Sequence, residues 1–98
     1  MTIVSRVRLK VGSEPGWDAA FRERAEAAQQ HEGWVAVQLC IPINGANERV
    51  VIGTWQTRAD WEAWHVSEVF ERTRDQMDEA EDGPREEWWH EVILDKRR

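Results

Sequence analysis

The chain has one cysteine, no tyrosine, three prolines and no long apolar run. Cys40 has no second thiol to pair with, so no intrachain disulfide can hold the fold, and the composition suits a reducing compartment. No signal-like segment opens the sequence, and no stretch approaches the roughly 20 apolar residues that cross a bilayer. The expected location is therefore the cytoplasm. Positive charge is scarce as well: 13 Lys and Arg stand against 19 Asp and Glu, a formal net charge of −6. Such a balance provides no cationic face for nucleic acid or an anionic membrane, and the closing Lys96-Arg97-Arg98 reads as a solvated tail. The histidines, at 31, 65 and 90, lack short ligand spacing, which with a single cysteine argues against a structural metal site. Neither a phosphate-cradling glycine loop nor a dinucleotide fingerprint is present.

What the sequence does have is tryptophan, seven in 98 residues. Tryptophan is large and only partly polar, so a small domain that gathers it lines a pocket or an interface. Three of the seven fall between Thr54 and Phe70. Alternation over residues 2–11 predicts a strand, with Ile3, Val7, Leu9 and Val11 on its apolar face. Ser13 and Pro15 open a helix whose apolar stripe runs Trp17, Ala20, Phe21, Ala25, Ala28, ending near Gly33. Residues 34–42 are apolar on both faces, as in a doubly covered strand. Asn44-Gly45 is a turn signal, and residues 49–55 form a third strand in which Gly53 marks a close approach or a bulge.

Thr57 with Asp60 three positions on predicts a capped helix start, and Ser67 a second cap where the helix breaks before resuming to near residue 77. Residues 75–87 are acidic and read as a loop. Residues 86–95 predict a final strand with Trp88, His90, Val92 and Leu94 on one face and Trp89, Glu91 and Ile93 on the other. The order β-α-β-β-α-β is that of a ferredoxin-like α+β domain: a single four-stranded antiparallel sheet with helices on one face. The uncovered face would leave more apolar surface than the roughly few hundred Å² a monomer tolerates, so a homodimer through the sheet face is expected.

At Thr54-Trp55, Trp61, Ala63-Trp64, Ser67 and Phe70, preceded by Gly33-Trp34-Val35-Ala36-Val37-Gln38-Leu39, the sequence resembles the antibiotic biosynthesis monooxygenase family. The resemblance implies a dimeric α+β barrel and either cofactor-free oxidation of quinol- or anthrone-like aromatics or haem degradation; a non-catalytic dimer that binds a small aromatic is the competing reading. Quinol-oxidising relatives carry His-x-x-Ser-x-His on this helix, where the present chain has Trp64, Ser67 and Val69. Haem-degrading relatives share a tryptophan at Trp64 but use an asparagine where Val7 stands and a haem-ligating histidine where Thr73 stands. The expectation is no cofactor.

The candidate ligand wall is thus Val7, Trp55, Trp61, Trp64, Phe70 and Trp88, with His65 and His90 as candidate bases. Each has a plainer alternative. Trp61 and Trp64, spaced i, i+3, also suit a core. A histidine beside them also suits a half-exposed surface, and His90 also suits packing or a dimer interface. The absence of tyrosine removes one common oxygenase acid.

Overall fold

The alternation at the start of the chain becomes strand β1 (Thr2–Arg8). It is followed by α1 (Glu14–Ala28), β2 (Trp34–Cys40), β3 (Glu48–Trp55), α2 (Arg58–His65), α3 (Glu68–Ala80) and β4 (Glu86–His90). The computed structural model describes all 98 residues. The four strands form one antiparallel sheet in the order β2-β3-β1-β4, the ferredoxin-like α+β arrangement.

Residues directly opposite in an antiparallel ladder share a face. Ile3↔Gly53, Ser5↔Val51 and Val7↔Arg49 are such pairs, and with buried Ile3 and Val7 they lie on the face under α1 and α3. Val4, Val50, Ile52 and Trp88 occupy the opposite face. One core cluster joins Val7 and Leu9 to Trp17 and Ala20 of α1 and Met77 and Ala80 of α3. A second joins Ala28, Trp55 and Trp64.

The helix starts were readable from local chemistry. Thr57 Oγ1 accepts the Asp60 N–H at 3.1 Å and donates to Asp60 Oδ2 at 2.7 Å, so the short acid reaches the capping hydroxyl instead of the backbone. Ser67 Oγ accepts the Phe70 N–H at 3.5 Å and opens α3, which divides the helical region where the sequence predicts. Ser13 precedes α1 but makes no side-chain cap; Glu14 instead accepts the Gly12 N–H at 2.8 Å.

Several features differ from expectation. α1 stops at Ala28, and Gly33, just before β2, lies in the left-handed region (φ 83°), where a Cβ would overlap the Asp60 carboxylate. The bulge falls in β2 between Trp34 and Ala36, while a Cβ at Gly53 would meet open space. α3 continues to Ala80 because Met77 and Ala80 keep its buried stripe. β4 stops at His90: its partner β1 begins at Thr2, which pairs with His90, so residues 91–95 have no neighbouring strand. Ile93 and Leu94 are accordingly 93% and 74% exposed.

Candidate functional site

Between the two core clusters lies a cavity of about 120 Å³. Apolar cavities of about 150 Å³ take up benzene, so this is single-ring space. Five of the seven tryptophans line it (Trp17, Trp34, Trp55, Trp61 and Trp64), together with Val7 and Phe70. Gly53, in the middle of the sheet, supplies part of the floor, and its missing side chain is part of why the space exists. Trp64 is buried and held edge-on by Phe70 (centroids 5.8 Å, 80°) and His31 (5.2 Å, 72°). Trp64 is therefore both core and wall.

His65 also lines the cavity. Its ring lies 3.7 Å from that of Trp61 and 4.3 Å from that of Phe70, and Nδ1 is 2.8 Å from the Trp61 carbonyl oxygen. A carbonyl only accepts, so the neutral ring carries its proton on Nδ1 and keeps the Nε2 lone pair. Burial pushes the His65 pKa below the ordinary histidine value, against the opposing pull of the Trp61 carbonyl. At neutral pH the side chain is an unprotonated imidazole with a fixed tautomer, which is the state a general base requires.

Two arginines are buried, and they differ. Arg49 is clamped by Asp18 through Nε (2.9 Å) and Nη2 (3.0 Å), while its Nη1 donates to the Ala46 and Glu48 carbonyls. Arg24, 7% exposed, lines the cavity. Its Nε donates to Thr73 Oγ1 at 2.6 Å and its Nη2 to the Phe70 carbonyl at 3.0 Å, with the guanidinium 3.9 Å above the Phe70 ring. None of the ion pairs in the protein includes it.

The structure brings Val7, Trp55, Trp61, Trp64, Phe70 and His65 to one cavity. It does not bring Trp88 or His90 there. The register Ile3↔Trp89 and Val4↔Trp88 gives the helix side to Trp89, whose ring meets Trp61 edge-on at 4.5 Å beneath the Arg58 guanidinium at 4.6 Å. Trp88 and His90 occupy the outer face and are exposed.

Haem does not fit the residues present. Thr73 is buried, and its hydroxyl is engaged with Arg24 and the Val69 carbonyl, so the position offers no iron ligand. Sequence reasoning did not single out Arg24, Trp17, Trp34, Gly53 or Trp89 as site residues. For Arg24 a signal existed: Trp17, Ala20, Arg24 and Ala28 fall on one helical stripe, so the cation stands in the middle of the buried face.

A ferredoxin-like sheet roofed by helices over one tryptophan-lined cavity defines a small α+β domain with a candidate ligand site. Residues 1–76 match the model of the antibiotic biosynthesis monooxygenase family, and the chain belongs to that family. No curated protein matches it. Solved structures agree in fold. A crystal structure described as an antibiotic biosynthesis monooxygenase superposes with TM-score 0.87 at 16% identity, covering 95% of this chain and 98% of the other. SnoaB, a cofactor-independent oxygenase from Streptomyces nogalater, gives 0.80 at 16% identity over 97% and 96% of the two chains. Rv0793 from Mycobacterium tuberculosis gives 0.85 at 15% identity over 99% and 97%. No helix is long and apolar enough to cross a membrane.

Proposed function

We propose that this protein is a cofactor-independent monooxygenase of a single-ring phenol or quinol, with His65 as the base. The observation that carries the reading is His65 Nε2, left basic by the Nδ1 contact to the Trp61 carbonyl in a cavity walled by tryptophan. Family membership and the fold shared with the cofactor-independent oxygenase SnoaB support it.

In this scheme Nε2 removes the phenolic proton. The electron-rich ring then reduces O₂ and forms a C–O bond at a ring carbon bearing hydrogen, giving a hydroperoxide that receives its proton from the imidazolium. Loss of that ring C–H proton with O–O cleavage leaves a quinone carbonyl and water. One oxygen enters the product and one leaves as water, and the substrate supplies all four electrons. The protein contributes a dry site, orientation and one proton acceptor.

A second reading is binding without turnover, favoured by Trp64 and Val69 standing where quinol-oxidising relatives carry histidines. O₂ uptake with a panel of substituted phenols, hydroquinones and anthrones separates the two. Uptake above the protein-free rate that disappears in His65→Gln supports the oxygenase. Saturable tryptophan quenching with no uptake across the panel overturns it in favour of the binder. In both readings the protein works as a homodimer through the outer sheet face, where Val4, Val50, Ile52 and Trp88 form an apolar surface and His90 sits at its margin.

A further inference from the structure

We infer that Arg24 is an anion anchor, so that the ligand of this cavity is an aromatic bound in its negatively charged form, as a phenolate or an aryl carboxylate. This rests on the cavity being the ligand site, as proposed above, and adds the charge state of what enters it.

The comparison that carries the inference lies inside the molecule. Burying a guanidinium requires compensation. Arg49 has it in full, with a two-pronged Asp18 carboxylate and two carbonyls. Arg24, equally buried, has one hydroxyl and one carbonyl, both neutral, and no carboxylate. Its Nη1 donates no hydrogen bond. No fully buried side-chain nitrogen or oxygen in the protein is without a partner, so Nη1 borders open space, and Arg24 lines the cavity.

The site therefore holds a positive charge with no directly paired carboxylate: Asp78 and Glu81 act on Arg24 only through space, and Glu87, which also lines the cavity, accepts from Trp89 Nε1. Burial, and then the positive charge of Arg85, push the Arg24 pKa down to about 10, still charged at neutral pH. Arg85 lines the same cavity but is paired with Glu81 at 2.7 Å. Phe70 connects the two working groups: Arg24 lies over its ring and His65 packs against it at 4.3 Å. Both groups line the cavity, so a phenol that delivers its proton to His65 leaves its oxyanion in a space that this cation also borders. Donors placed where charge develops stabilise it most in a water-poor site.

The test uses 4-nitrophenol, whose phenolate is coloured, and the pair benzoate and benzamide, all under anaerobic conditions with the full chain. The bound nitrophenol should ionise at lower pH than the free compound, and benzoate should bind more tightly than benzamide by about tenfold to a hundredfold, as one charge-assisted hydrogen bond would give. Arg24→Gln should abolish both effects, weakening benzoate at least about tenfold more than benzamide, and Arg24→Lys should restore part of the anion preference. If Arg24→Gln fails to fold, the wild-type nitrophenol titration decides alone. Nitrophenol bound in its neutral form, equal affinity for benzoate and benzamide, or no binding of any of the three overturns the inference. O₂ uptake on the phenol and quinol panel is read separately: anion selectivity without uptake sinks the oxygenase and leaves the anchor standing.

Discussion

Filling the cavity from its floor tests the site without touching any group proposed to act. Gly53 sits in a central strand between Ile3 and Val37, lacks the left-handed φ of Gly12, Gly33 and Gly83, and would place a Cβ with no atom within 4 Å. Gly53→Val therefore meets no backbone strain, and its Cβ no clash. It sends three carbons into a cavity of about 120 Å³, worth about 2 kcal/mol at ~0.8 kcal/mol per buried methylene. Removing the glycine's conformational freedom adds about 0.5–1 kcal/mol, and side-chain ordering offsets a similar amount. The net gain of about 2 kcal/mol raises Tm by roughly 8–16 °C for a domain of this size. The same substitution should abolish quenching of the wall tryptophans by phenols and any associated O₂ uptake. Differential scanning calorimetry and a quench titration on the same preparation read the two arms. A variant that is less stable than wild type, or one that still binds, would refute the reasoning, because either result means that Gly53 does not face free space.

Five further outcomes follow from the geometry. The acid limb of kcat/KM should have its midpoint below about 6.5, the ordinary histidine value, since burial lowers the His65 pKa. Glu87 opposes that shift while Arg24 and Arg85 reinforce it. His65→Gln should reduce kcat/KM by about 10²–10⁴-fold. Stability should follow the same group: below about 6.5 the unfolded chain protonates before the folded one, so the contribution is complete above that pH and is lost as pH falls through the window, as urea melts in a pH series will show. Gly33→Ala, forced into φ 83° and into Asp60, should lose about 1–3 kcal/mol in the same melts. Ile52→Asp, at the centre of the outer face opposite Val4 and Gln38, should convert a dimer to monomer in light scattering; an unchanged mass would place any interface elsewhere.

Helix starts and the order of strands and helices along the chain were legible because they depend on neighbours in sequence. Thr57 and Asp60 are three residues apart, Ser67 and Phe70 likewise, and both pairs bond as their spacing predicts. The site was legible only in part. Trp88 and Trp89 alternate by parity, but parity does not say which of them takes the helix side; that is fixed by the register with β1, a pairing across more than 80 positions. The length of β4 was hidden for the same reason, since Val92, Ile93 and Leu94 have strand composition and no strand to pair with. Arg24 was lost to a habit of composition, because a charge on a helix reads as solvated. Its place in the stripe from Trp17 to Ala28 identified it as buried all the same.

The break at Ser67 leaves α2 as an eight-residue helix, too short to persist by its own hydrogen bonds in water. What holds it are its Thr57 cap and the aromatic side chains it lays over the cavity. Trp61, Trp64 and His65 are thus at once the helix's adhesive and the ligand's wall. A ring entering the cavity completes the contacts that keep α2 wound, and a wound α2 completes the receptor for the ring. Under the proposed function, ligand binding and the local melting of this one helix are linked, so a ring that binds only the wound helix should protect it from melting.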